Sequence, residues 1–576
     1  MRASRIVRRP LRLAPDLLPG DLPQVLRRVY AARDIDSARE LDPSISCLHP
    51  PELMGGIERA VDLLERALHE RYRILIVGDF DADGATSSAL MMRALQRLGA
   101  AEVRYLVPNR FEYGYGLTPE IVAVAAGLQP DLIVTVDNGV SSLEGVAAAR
   151  AQGIEVLVTD HHLPGAELPA ADAIVNPNLE GDAFPSKHLA GVGVAFYLMV
   201  ALRKRLRERG WFARTARAEP NLAEVLDLVA LGTVADVVPL DHNNRILVHQ
   251  GLARIRAGRC APGIAALLQV AGRSLERVTA QDLGFAVGPR LNAAGRLDDM
   301  SLGIECLLTD DPDAASDMAR RLDALNRERR EIEADMKEQA LRELQTLQLN
   351  ASSLPTGLCL YNAGWHQGVI GILASRIKEK VHRPVIAFAP AGEGELKGSA
   401  RSVPGLHIRD ALDAIAVGHP GLITKFGGHA MAAGLSLKHS HFEAFRDAFD
   451  AEVRRHLGED ALQGVVLSDG ELAEEELTLA TAELLRTNGP WGQGFPEPVF
   501  DGVFDLIHHR VVGSHHLKMT LGLPGLRRAM DAIAFNKAEE ISLAGRQRIR
   551  VAYRPDVNEF RGLRNLQLIV DHIEPA

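Results

Sequence analysis

The sequence predicts an α/β architecture: a parallel-sheet domain, a smaller α/β domain joined to it by a long helix, and a C-terminal β-barrel. Three observations carry this expectation. Between residues 57 and 175, short runs of branched apolar residues alternate with helical or Gly/Pro-marked segments, the pattern of a parallel sheet covered on both faces. From Pro312 to Leu347 the chain is highly charged, yet Met318, Leu322, Leu325, Ile332 and Met336 keep a near-heptad spacing. That describes a long interdomain helix with one packed face rather than a partner-binding coiled coil. After the Gly- and Pro-dense segment 486–500, alternating apolar stretches recur to the end of the chain, the mark of a small all-β unit.

In chain order, Ile57, Val61, Leu64 and Leu68 form the apolar stripe of an amphipathic helix. Strands are expected at Ile74–Val77, Val103–Val107, Leu132–Val136, Val156–Val158 and Ala173–Val175, with Ser87–Leu98 and Ser142–Ala151 as helical crossovers. Residues 222–232 and 245–256 read as helices. Beyond the long helix, strands are expected at Leu358–Tyr361, Val385–Phe388 and Ala432–Leu437, and helices at Val369–Lys380 and His441–Leu457. The terminal stretches Val503–Ile507, His516–Leu521, Ala529–Phe535, Arg548–Tyr553 and Leu566–Val570, with a turn near Asn558–Gly562, fit a five-stranded barrel of the oligonucleotide-binding type; a β-sandwich is the alternative. The expected units are 1–55, 56–310, 311–350, 351–460 and 461–576, in keeping with the three to four domains that about 150 residues each would give.

Composition removes several classes. At 47% hydrophobic and 24% charged residues, the chain is neither disordered, collagenous nor a rod. It has no uncharged apolar run long enough for a bilayer. The basic start MRASRIVRRPLRLAP lacks an apolar h-region, so no export signal is read and a cytoplasmic location is expected. Cys47, Cys260, Cys306 and Cys359 stand far apart without a CxxC, against a disulfide framework or zinc ribbon. The net charge of −10 excludes the global basic field of a non-specific DNA coater but suits carboxylates that hold divalent metals.

The chemistry lies at the strand ends. The first strand runs into GDFDADG with Asp79, Asp81 and Asp83, the third into Asp137, and the fourth into Asp160, His161 and His162. Ligands of open α/β sheets bind outside the carboxyl ends of the strands, so these groups converge on one crevice. Neighbouring carboxylates repel and raise one another's pKa, and divalent cations remove that conflict. Oxygen donors mixed with imidazole favour Mn²⁺ or Mg²⁺ over a thiolate-rich structural zinc site. Two such ions would clamp a phosphoryl group and generate hydroxide. DxDxDG imitates an EF-hand, but the twelfth position from Asp79 is Leu90, where calcium needs a bidentate Glu. A dinucleotide loop fails as well, because the glycine fingerprint is missing. Capping of the helix expected near Ala85 would use one aspartate, not three. Asp236 in LGTVADVVPL follows an apolar helix and is placed to reach the same crevice.

These residues resemble the DHH phosphoesterases, and within them the RecJ family of single-strand-specific 5′→3′ exodeoxyribonucleases. The resemblance rests on GDFDADGATS (78–87), PNRFEYGYGL (108–117), TVDNGVSS (135–142), TDHHLPG (159–165), NPN (176–178), LAGVGVAF (189–196), LGTVADVVPL (231–240) and GPRLNAAGRL (288–297). WHQGVIGILASRI (365–377), KGSARS (397–402) and KFGGHAMAAG (425–434) are similar to the DHH-associated domain, and NEFRG (558–562) with LQLIVDHI (566–573) to the family's oligonucleotide-binding fold. It covers nearly the whole chain after residue 50, and no motif is broken.

The resemblance implies that 56–310 is the DHH catalytic domain, 351–460 the DHH-associated domain and 461–576 the nucleic-acid-binding barrel. It implies a two-metal cluster from the aspartates of the first motif, Asp137, His161 and Asp236, with Asp160 and His162 supporting it or facing phosphate. Spacing does not select which two of Asp79, Asp81 and Asp83 are direct ligands; Asp137, alone on the central strand, is the candidate bridge. Arg110, Arg290, Asn292, Arg296 and Arg401 are candidate phosphate contacts, Tyr113 and Tyr115 candidate base-stacking rings, and His429 sits in a Gly-rich turn open to close approach. Single-stranded DNA is the expected substrate, single-strand binding protein and a RecQ-type helicase the expected partners, and a nucleoid-associated monomer acting in recombination and repair the expected form. A hydrolase of short oligonucleotides or cyclic dinucleotides shares the same metal motifs. A non-catalytic single-strand scaffold would show eroded acids, and here they are intact.

Overall fold

The computed structural model describes the chain apart from residues 1–4, 12, 109–115, 351–353, 393, 459–461, 514, 526–527, 539–546 and 561, and the side chains of 343, 346–350 and 560. Strands β1 (Arg73–Gly78), β2 (Glu102–Leu106), β3 (Leu132–Val136), β4 (Glu155–Thr159) and β5 (Ala173–Val175) form a wholly parallel sheet in the order β2-β1-β3-β4-β5. Every residue of β3 is buried, as a central strand covered on both faces requires. The chain leaves β1 for the edge at β2 and returns on the other side as β3. The carboxyl ends of β1 and β3 therefore open a crevice at the point where the strand order reverses.

Helix α1 (Ala82–Leu98) begins five residues earlier than the expected Ser87. Asp81 is its N-cap, accepting the amides of Asp83 and Gly84 at 2.9 and 3.1 Å, a cap hidden within a motif read for metal. As a result Asp83 sits in the first helical turn and points into the protein. Helices α2 (Gly191–Glu208) and α3 (Leu226–Ala235) pack on α1, and α4 (Gly288–Leu297) follows through a π-helical turn, Leu283–Val287.

The long helix α5 (Pro312–Asn350) belongs to two cores. Ala315, Ala319 and Leu322 are buried with the parallel-sheet domain, whereas Met336, Ala340 and Leu344 are buried with the next one. There, β6 (Leu358–Tyr361), β7 (Val385–Pro390), β8 (Glu395–Arg401), β9 (Lys425–Gly428) and β10 (Ala432–Lys438) form a mixed sheet in the order β9-β10-β8-β7-β6. Helix α6 (Ile370–Val381) packs on it. Strand β8, which carries KGSARS, lies in the middle of the sheet but was not expected as a strand: Gly, Lys and Ser have poor β propensity, and pairing on both sides compensates.

The C-terminal strands β11 (Phe500–Val512), β12 (His516–Gly522), β13 (Ala529–Ala534), β14 (Arg548–Phe560) and β15 (Leu563–Pro575) close into a barrel, β11-β12-β13-β15-β14. Closure through the parallel β13–β15 pair discards the sandwich alternative. The expected turn near Asn558–Gly562 shrinks, since Asn558 and Glu559 still pair with Asn565 and Arg564. The N-terminal segment ties the barrel to the catalytic lobe: Arg5–Arg8 pairs in parallel with Val465–Ser468, and the Arg33 guanidinium donates to both carboxylate oxygens of Asp469 at 3.0 Å. Among the described residues, no helix is long and apolar enough to cross a membrane.

Candidate metal centre and nucleic-acid cleft

The acids and imidazoles singled out at the strand ends meet in the crevice between β1 and β3. Three overlapping groups, Asp79–Asp81–Asp137, Asp83–His161–Asp236 and Asp137–His161–His162, each bring one ligand atom per residue within 4.8 Å of the others. His161 Nε2 lies 3.1 Å from Asp137 Oδ1, 3.5 Å from Asp236 Oδ2 and 3.9 Å from Asp83 Oδ2. That nitrogen is buried and makes no hydrogen bond. Burial, then the neighbouring His162, holds the His161 imidazole below its usual pKa, so it is neutral and suited to bind a cation.

Local backbone places these groups at some cost. Asp137 adopts a left-handed conformation at φ 62°, and so does Val237, at φ 63°, immediately after Asp236. A β-branched residue there is a genuine outlier, and such strain concentrates at functional sites. Gly191, the first residue of α2, lets that helix reach the cluster: a Cβ on it would stand 2.6 Å from the Asp137 Cβ. Its amide and that of Val192 donate to the two oxygens of Asp83 at 2.6 and 3.0 Å, setting a carboxylate on a helix N-terminus.

Charge is in excess. Burial, then the Asp236 carboxylate, raises Asp83 to about 7; burial, then Asp81, raises Asp236 to about 7; and burial, then Asp83, drives Asp137 well above its ordinary value. Four neighbouring acids resist full ionisation without a cation, and hard divalent ions with mixed oxygen and imidazole ligands fit this donor set.

Asp160 works behind this cluster. Its Oδ1 accepts the amides of His161 and His162 and faces His162 Nδ1 at 2.8 Å, while Oδ2 accepts the Val140 amide. Burial alone would raise Asp160, but the His162 hydrogen bond and charge outweigh it and hold the carboxyl below its usual range. Burial also opposes charge on His162, yet the Asp160 bond prevails and lifts it to about 9. The His429 ring, from the second domain, stacks 6.0 Å from that of His162, so the two domains share one cleft.

Family models match along this arrangement: "DHH family, N-terminal domain" over residues 73–233, "DHHA1 domain" over 354–455 and "RecJ OB domain" over 468–572. The single-stranded-DNA-specific exonuclease RecJ of Dickeya dadantii is 59% identical over 573 residues, spanning 99% of each chain. The chain belongs to the RecJ family. The Escherichia coli member is 57% identical over 97% of both chains. A Thermus thermophilus RecJ structure in complex with Mn²⁺ superposes with a TM-score of 0.79 at 31% identity, covering 96% of this chain and 76% of that one; its Mg²⁺ counterpart gives 0.73 at 30%.

The remaining candidates divide. Asn292 Oδ1 accepts the Ala82 amide at 2.7 Å, bracing the metal-motif turn. Arg296 donates to the Gly368 carbonyl at 3.1 Å across the domain boundary. Arg401 is half-buried, donating to Ser399 Oγ and the Ala400 carbonyl, and lies against the N-terminal turn of α6 beside Gly371. Arg290 is placed otherwise than expected: Nε and Nη2 pair with Asp323 of α5 at 3.0 and 2.8 Å, and Nη1 donates to the Ala286 carbonyl. Its fork ties two helices together instead of opening to the cleft. Arg110, Tyr113 and Tyr115 lie outside the described residues.

Sequence reasoning quoted but did not assign three asparagines. Asn138 Nδ2 donates to the carbonyls of Val77 and Val136, joining the ends of β1 and β3. Asn176 and Asn178 donate to the carbonyls of His162 and His161, fixing the turn that presents both rings.

Proposed function

We propose that the chain is a metal-dependent exonuclease of single-stranded DNA, releasing mononucleotides in the 5′→3′ direction with two divalent ions, Mn²⁺ or Mg²⁺. One observation carries this reading: seven carboxylates and imidazoles from four separate segments converge at the carboxyl end of a parallel sheet, beneath a second domain whose His429 faces His162. Asp79, Asp81, Asp83, Asp137, His161 and Asp236 would hold the ions, with Asp137 between the two donor groups. Bound metal supplies charge stabilisation at the phosphoryl group and activates the attacking water. Around it, Asp160 fixes the His162 ring through Nδ1, keeping a cationic imidazole near the phosphate. Arg401 and His429 line the second-domain side and Arg296 reaches the boundary from α4, where guanidinium forks match phosphate geometry. Asn292 braces the metal turn. Arg110, Tyr113 and Tyr115 are assigned to the strand itself, and Arg290 to contact with it only through the helix it anchors.

We further propose that it acts in recombination and repair, as a cytoplasmic, nucleoid-associated monomer working with single-strand binding protein and a RecQ-type helicase. The test compares single-stranded with blunt duplex DNA in Mn²⁺, Mg²⁺ and chelator. Rapid loss of only the single strand, abolished by chelator, is the expected result; duplex degradation at the same rate, or cleavage in chelator, contradicts it.

A further inference from the structure

Among the described residues no large apolar side chain is more exposed than Phe285, at 78%. It sits in the π-helical turn that precedes α4. A π-turn inserts one residue and shifts the helical phase, and such turns recur at functional sites. Here Leu283, Ala286 and Val287 stay buried while the aromatic ring is put outside.

Phe285 is also where two cavities meet. It lines a groove of about 530 Å³ between α4, α5 and α6, and a cavity of about 320 Å³ between the catalytic domain and the barrel. The groove contains Asn292, whose side chain holds the metal turn. Its wall carries Arg330 and Lys337, and the barrel-side cavity carries Arg256 and Arg486. Among the described residues none of these four cations has a carboxylate within ion-pair distance, whereas their neighbours Arg329, Arg376 and Arg554 do. Arg256 and Arg486 donate to the carbonyls of Val278 and Arg277 at 2.9 and 3.2 Å, which fixes them without neutralising their charge; an exposed ring between two sets of cations without carboxylate partners has the make-up of a single-strand track, in which phosphates meet charge and bases stack.

We propose that Phe285 is a base-stacking post for the part of the strand outside the metal cleft, with Arg330 and Lys337 on one side and Arg256 and Arg486 on the other. The inference rests on the single-strand reading above. A rigid helix fixes the distance: seven residues separate Phe285 from Asn292, about 10 Å at 1.5 Å per residue. Strands confined to the metal cleft do not reach the ring.

The experiment measures KM and kcat on oligothymidylates from two to twelve nucleotides for the wild-type chain, Phe285→Ala and Phe285→Trp. Stacking on one ring predicts that the alanine variant's KM penalty grows with length, by roughly 5- to 150-fold between the dimer and the dodecamer. The penalty should appear only in strands long enough to leave the metal cleft, with kcat little moved and tryptophan restoring KM. Arg256→Ala with Arg486→Ala should flatten the salt dependence of dodecamer binding by about 1.4 in log–log slope. A penalty equal at every length, or none at any length, overturns the inference; the second outcome would leave Phe285 to a protein partner. A wild-type chain that hydrolyses no single strand fails earlier and overturns the proposed function with it.

Discussion

Asp160 shows how much of the site depends on groups that need not touch metal. One carboxylate holds two backbone amides and the His162 ring on one oxygen and the Val140 amide on the other. Asp160→Asn is therefore expected to weaken Mn²⁺ binding or activity about 10- to 100-fold, the usual cost of losing an outer-shell partner, with the fold intact; metal titration by calorimetry checks it. The raised carboxyls give a second prediction. Asp83 and Asp236 stand near 7 in the metal-free protein, so between about pH 4 and 7 the native state binds more protons than the unfolded chain, and metal-free stability falls as pH rises. Metal displaces those protons. The increase in Tm on adding Mn²⁺ should thus be larger at pH 8 than at pH 5.5, and an increase independent of pH would contradict this. The acids were legible in the sequence because each follows an apolar strand run. Asn138, Asn176 and Asn178 were not, since an asparagine that holds a neighbouring carbonyl looks like any loop asparagine until the strands are adjacent.

At the level of elements, periodicity located the parallel strands to within a residue or two and the long helix almost to its ends, because burial on two faces or on one stripe leaves a plain pattern. It missed where capping or pairing overrides composition. The start of α1 was hidden by Asp81, which serves as N-cap within a metal motif. Strand β8 was hidden by polar and small residues that a central sheet position tolerates. Arg290 was read as a phosphate contact from its motif alone, but a helix pair 33 residues apart claims its guanidinium. Arg290→Ala should therefore destabilise the protein by about 2 kcal/mol, the scale of charged hydrogen bonds lost, as read by denaturant unfolding. Unchanged stability with a raised KM for DNA would restore the phosphate role.

Across the whole molecule, a net charge of −10 coexists with a cleft and barrel whose cations are locally exposed. Only phosphates neutralised on binding set the salt dependence, so affinity for single strands should fall steeply with ionic strength despite the overall sign. On the barrel, Lys518 is paired with Asp531 at 3.3 Å, which leaves Arg510 as the more available cation of that face. Arg510→Ala should lower single-strand affinity and reduce the log–log salt slope by about 0.7, while hydrolysis of a minimal phosphodiester persists; equal loss of both would contradict a binding role for the barrel. Helix α5, sharing one core with the catalytic domain and another with the second, holds His429 over the metal cluster, so that cleavage and strand contact form one unit.

The most direct measurement is degradation of single-stranded DNA labelled at either the 5′ or the 3′ end, in Mn²⁺ or Mg²⁺, by the native chain and by Asp137→Ala. Immediate release of the 5′ label as mononucleotide, with the 3′ label persisting in shortening strands and both lost in the variant, is the predicted result. Cleavage that survives Asp137→Ala, or a native chain that binds the strand and cuts it with neither metal, would contradict the metal-cluster account.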